Sequence, residues 1–94
     1  MLHSATGFLE TNNLSSAIEA ADQMLKSANI EHIEKINLGD SIIVLILKGD
    51  APSVEAALIA GESVAKKSGS YLRAHLIPEL NDRVEDLIMK GMQR

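Results

Sequence analysis

The chain predicts an α+β fold of the ferredoxin-like, split βαβ kind, with an antiparallel sheet carrying both long helices on one face. Three observations lead there. Two amphipathic helical stretches each follow an extended segment. The run "SIIVLILK" is continuously apolar and β-branched, and "NLGDSI" just before it carries a Gly-Asp hairpin signal. The order that results is β-α-β-β-α-β plus a terminal helix.

Taken in order, the short stretch "SATGFLE" is extended and is closed by the polar "TNN". Asn13 then caps a helix running to about Ala28. Its apolar stripe reads Leu14, Ala17, Ile18, Ala21, Leu25 and Ala28, with Glu19, Asp22, Gln23 and Lys26 lying away from it. Asn29 stands at the C-terminal end, where Asn tolerates the left-handed conformation that stops helices. Residues 30–38 are Ile-rich and interrupted by charges, which suits a half-exposed strand. After the Gly39-Asp40 turn comes a central strand covered on more than one side.

Asp50 caps the second helix, and Pro52 sits in its first turn, where the missing N–H is harmless. Val54, Ala57, Leu58, Gly61 and Ala65 mark its buried face, and it ends before Gly69. "YLRAHLIP" alternates, with Leu72, Ala74 and Leu76 on one face and Tyr71, Arg73, His75 and Ile77 on the other. Pro78 ends it. Residues 81–90 form a last short helix started by Asn81 or Asp82, with Val84, Leu87 and Ile88 facing inward.

Composition narrows the function classes. Ninety-four residues make one domain, spanning 1–94, with no linker or low-complexity stretch. A formal charge of −4 and only two aromatic residues, Phe8 and Tyr71, disfavour nucleic-acid binding. The absence of cysteine excludes disulfides and thiolate metal sites and fits a cytosolic protein. The N-terminus has no basic n-region, and the longest pure apolar run is far too short to span a bilayer, so no membrane association is expected.

Chemistry is sparse. His3, His32 and His75 sit in three segments with no ligand spacing, so neither a metal nor another cofactor is expected. No nucleophile elbow, Walker loop or GxGxxG occurs. The loop after the first strand, "ETNN", has no Arg to cradle a phosphate, and no catalytic residue is assigned.

Three stretches together do carry information: "GFLETNNLSSAIEAADQMLKSANI", "VLILKGDAPSVEAALIAGESVAKKSG" and "LRAHLIPELNDRVEDLI". In this order and spacing, from about residue 5 to 88, they resemble bacterial microcompartment shell proteins of the single-domain, hexamer-forming type. The resemblance implies a non-enzymatic building block in the bacterial cytoplasm. Such proteins form cyclic homo-hexamers that tile into facets with other shell proteins around encapsulated enzymes. The loop between the second and third strands, here Asn37, Leu38, Gly39, Asp40 and Ser41, would line a narrow axial pore for small metabolites. Lys26 and Asn29 would lie at the hexamer edge.

Two positions depart from the family pattern. Glu79 replaces a residue that is commonly basic, and it would either pair with Lys26 across the seam or remove donors from it. Asn37 stands where Lys is frequent, while Asp40 occupies a usually small pore position, so the pore would turn acidic. On plain residue chemistry Lys26 is a solvated helix lysine and Asp40 a turn residue. A ferredoxin-like oligomeric regulator that binds a small ligand between subunits is the alternative function.

Overall fold

The computed structural model describes residues 4–78, 83, 84 and 86–88. Its elements run β1 (Ser4–Thr11), α1 (Leu14–Ser27), β2 (His32–Asn37), β3 (Ile43–Asp50), α2 (Ala51–Lys67) and β4 (Tyr71–Ile77). The sheet order is β2-β3-β1-β4, and every neighbouring pair is antiparallel. Both helices pack on one face of it, against β1, β3 and β4. The ferredoxin-like expectation holds.

Both helices begin where side-chain oxygens satisfy otherwise orphaned amides. Asn13 Oδ1 accepts from the Ser16 amide at 2.9 Å. Asp50 Oδ1 accepts from the Ser53 amide and Oδ2 from the Ser53 hydroxyl, each at 2.9 Å. Helix α2 ends in a Schellman motif, in which the Ser70 amide donates to Ala65 O at 2.9 Å and Gly69 takes φ +73°.

The Asp50 cap gives the fold a defined acid sensitivity. Hydrogen bonds from Ser53, its amide first and then its hydroxyl, hold the Asp50 carboxyl below the ordinary value of 3.8. A depressed carboxyl contributes stability that is present above the ordinary value and is lost as pH falls through the lowered one. Asp50→Asn keeps an accepting oxygen but cannot titrate. It should flatten that part of the acid limb, which urea midpoints measured from neutral pH downwards will check.

The core lies between sheet and helices. Leu9 of β1, Leu45 and Leu47 of β3, Met24 of α1 and Val54 of α2 are almost wholly buried in it. The α2 face expected from periodicity, Val54, Ala57, Leu58, Gly61 and Ala65, is the buried one. In β3 every residue from Ile43 to Leu47 is buried, so this strand is covered on both faces as its unbroken apolar run implies.

Four local expectations need correction. In α1 the buried residues are Ser16, Ala17, Ala20 and Met24, whereas Leu14, Ile18 and Leu25 remain about half exposed. Small residues let α1 approach α2 closely, and the larger side chains are displaced to its outer side. Asn29 does not adopt the left-handed conformation. Ala28 leaves the helix directly in an extended conformation, and the Ser27 hydroxyl donates to the Gln23 carbonyl at 2.8 Å, supplying the C-terminal hydrogen bond.

Strand β4 contains a bulge, because Glu10 pairs with Arg73 and Thr11 with Tyr71, leaving Leu72 without a partner. The extra residue flips the alternation. Tyr71 therefore packs on the core with Ala74 and Leu76, and Leu72 is exposed. Finally, residues 83, 84 and 86–88 are helical, but Val84 and Leu87 are exposed rather than inward, and Ile88 is half-buried. Asn81 and Asp82, proposed to start that helix, lie outside the described residues.

Candidate functional site

The turn between β2 and β3 is built on a short antiparallel closure. The Leu38 amide donates to Ile42 O, and the Ile42 amide to Gly39 O, both at 2.9 Å. Gly39, Asp40 and Ser41 all have positive φ, at +84°, +48° and +65°. For a residue with a Cβ this conformation costs roughly 1–2 kcal/mol, least for Asp or Asn. Asn37 offsets part of that cost, since its Oδ1 accepts from the Gly39 amide at 3.0 Å.

The side chain of Asn37 therefore holds the turn in shape rather than projecting freely. Leu38, Gly39, Asp40 and Ser41 are all exposed. Asp40 has no ion pair or side-chain hydrogen bond among the described residues, leaving its charge directed to solvent. The dipeptide Gly39-Asp40 signalled the reversal. The Asn37 side-chain bond was not anticipated, although Asn two residues before a turn glycine is a recognisable cue for it.

Lys26 and Asn29 lie at the other end of the sheet. Lys26 Nζ is 2.8 Å from Asp22 Oδ2, one helical turn back, and both side chains are largely solvated. Such a pair contributes about 0–1 kcal/mol. Asn29 is exposed, and its carbonyl comes close to Gly49 near the end of β3. The end of β4 reaches this same side, with Ile77 opposite Thr6 and Ser4 opposite Asp50. Glu79 lies outside the described residues.

The candidate residues thus fall into two groups rather than one site. Seven strand steps from Ile43 to Asp50 separate the turn from the Lys26 end, about 23 Å at 3.3 Å per residue. Between them, a groove of about 200 Å³ opens where α2 meets β4, lined by Glu55, Leu58, Ile59 and Glu62 of α2 and by Ala74, His75 and Leu76 of β4. Periodicity missed this groove because it is formed by two elements distant in sequence.

Among the described residues, no group of three His, Cys, Asp or Glu side chains could hold a metal ion, and no helix is long and apolar enough to cross a membrane.

Comparison with known proteins gives this geometry a family. Residues 5–80 match the BMC domain. The chain is 37% identical over 94 residues to the bacterial microcompartment shell protein PduA of Salmonella typhimurium, covering all of both chains. It is 33% identical over 90 residues to the major carboxysome shell protein CsoS1A of Halothiobacillus neapolitanus, covering 95% of this chain and 92% of that one. A crystal structure of a microcompartment protein from Desulfitobacterium hafniense DCB superposes with a TM-score of 0.77 at 28% identity. That match covers 84% of this chain and 43% of the other. A full-length relative, a matched domain and a shared fold agree: the chain belongs to the BMC-domain family of bacterial microcompartment shell proteins.

Proposed function

We propose that the protein is a non-enzymatic shell tile that closes into a cyclic homo-hexamer, with the 37–41 turns around a central pore and the Lys26 ends at the rim. The observation that carries this reading is the separation of the two groups to opposite ends of one sheet. A radial subunit needs one end for the axis and the other for its neighbours in the facet, and it would set its strands along the radius. Six copies of Asp40 would then form a ring of carboxylates, which favours cations and neutral polar metabolites over anions.

At the rim, Lys26 and Asn29 make the contacts between hexamers, and Glu79 places a carboxylate in the same seam. The tile works beside other shell proteins, enclosing enzymes in the bacterial cytoplasm. Native mass spectrometry tests the ring first. Six chains supports the reading, whereas a monomer, or a trimer carrying a small ligand, overturns it.

Lys26→Ala then tests the rim. Because Lys26 is exposed and paired only at the surface, unfolding free energy should change by less than about 0.5 kcal/mol. Hexamers should persist by mass, while extended sheets disappear under negative-stain microscopy. Unchanged sheets would remove Lys26 from the seam.

A further inference from the structure

The turn between β2 and β3 is strained, and nothing packed around it enforces the strain. Among the described residues, Asp40 at φ +48° and Ser41 at φ +65° are the only ones other than glycine with positive φ, and they are consecutive. With Gly39 at +84° they put three residues in a row into the left-handed region. For a residue with a Cβ that conformation is disfavoured by roughly tenfold in population. Asp is among the residues that tolerate it best, whereas Ser41 has no such allowance.

Backbone held in this way ordinarily persists because the surroundings over-determine it. Here they do not. A Cβ built on Gly39 meets no atom within 4 Å, so the turn stands in open space. Leu38 is 60% exposed. Neither the Asp40 carboxylate nor the Ser41 hydroxyl makes a hydrogen bond among the described residues. Two backbone bonds close the turn, from the Leu38 amide to Ile42 O and from the Ile42 amide to Gly39 O. The bond from the Gly39 amide to Asn37 Oδ1 is the single side-chain latch among the described residues.

From this balance we infer that residues 39–41 are a two-state gate latched by Asn37. The closed state is the left-handed turn. In the open state the Gly39–Asn37 and Ile42–Gly39 bonds are broken, Asp40 and Ser41 return to negative φ, and the Leu38–Ile42 bond remains as the hinge. The inference rests on the ring reading and adds regulation to its pore. A rigid turn fixes the aperture, whereas a turn that yields can be displaced by a passing solute. The latch and the strain together then set how readily large solutes cross.

Two substitutions shift the balance in opposite directions while leaving the Asp40 charge in place. Asn37→Ala removes the latch and should raise the open population about fivefold. Ser41→Gly relieves the strain of the closed turn, and after allowance for the backbone freedom of glycine it should lower the open population about threefold. Hydrogen exchange at the Ile42 amide reports this directly, because neither substitution touches its acceptor, Gly39 O. Exchange, corrected for intrinsic rates, should be about fivefold faster in the first variant and about threefold slower in the second.

Passage of a large neutral polyol into reconstituted shells should follow the same order. The sign for Ser41→Gly is the decisive reading. Trimming a side chain from a static aperture would raise flux, whereas a gate held shut by glycine lowers it. Equal Ile42 exchange in all three proteins would overturn the two-state turn. Unchanged or higher polyol flux in Ser41→Gly, with hexamers confirmed by native mass, would overturn the gate while leaving the ring intact. A wild-type mass other than six chains would overturn the ring reading itself.

Discussion

Met24→Ala should lower the free energy of unfolding by about 3 kcal/mol, and adding Gly61→Ala should return part of that loss. Met24 is completely buried between α1 and α2, so truncating it leaves a cavity. Gly61 faces the same space. A Cβ built there would lie 2.6 Å from Met24 Sδ and 2.9 Å from Leu9 Cδ2, which is closer than atoms tolerate.

Alone, Gly61→Ala therefore overpacks the core at about 1–3 kcal/mol, offset by about 1 kcal/mol of helix propensity. With Met24 already truncated its clash disappears, the Leu9 methyl at 2.9 Å has the vacated space to shift into, the new methyl fills part of the void, and the propensity gain remains. The double variant should be more stable than the sum of the single losses implies, by about 1–2 kcal/mol. Urea unfolding with a common m-value measures the cycle. Strict additivity would mean that α1 and α2 do not share this contact.

Neutralising Asp40 should raise the permeability of the proposed pore to small anions about sixfold and leave neutral solutes unaffected. If six carboxylates stand about 8 Å from the axis, each repels a monovalent anion there by about 0.5 kcal/mol at water's dielectric constant. Six give about 3 kcal/mol, which one Debye length of screening reduces to about 1 kcal/mol. Asp40→Asn is the appropriate substitution, because residue 40 has φ +48° and Asn, unlike Ser, tolerates that conformation well. Flux of an anion and of a neutral solute into reconstituted shells is the measurement. Equal anion flux before and after the change would remove Asp40 from the transport path. The difference should shrink as salt is added, since solvent ions screen an exposed ring.

The parts of the fold that were legible in the sequence are those set by neighbours along the chain. Asn13 and Asp50 cap their helices through groups three residues away. The five buried positions of α2 follow from a period of 3.6 because that helix has one buried face. In α1 the same rule selected a stripe that included Leu14, Ile18 and Leu25. That helix carries two apolar faces, and periodicity cannot tell which one meets α2. The Leu72 bulge was invisible for a related reason: alternation assumes an unbroken register, which only pairing with β1 defines.

The candidate site divides along the same line. Gly39-Asp40 announced a reversal, and the ordered motifs pointed to the shell-protein family, because both are written in consecutive residues. That the turn and Lys26 stand at opposite ends of the sheet is a tertiary fact, as is the commitment of the Asn37 side chain to the Gly39 amide. Sequence by itself determined the element order, the helix caps, the acidic turn and the family. Tertiary structure alone decided which face of α1 is buried, where β4 changes phase, and that α2 and β4 leave a groove between them. Those outcomes depend on contacts between segments far apart in the chain, where shape and volume select among faces that local chemistry leaves equivalent.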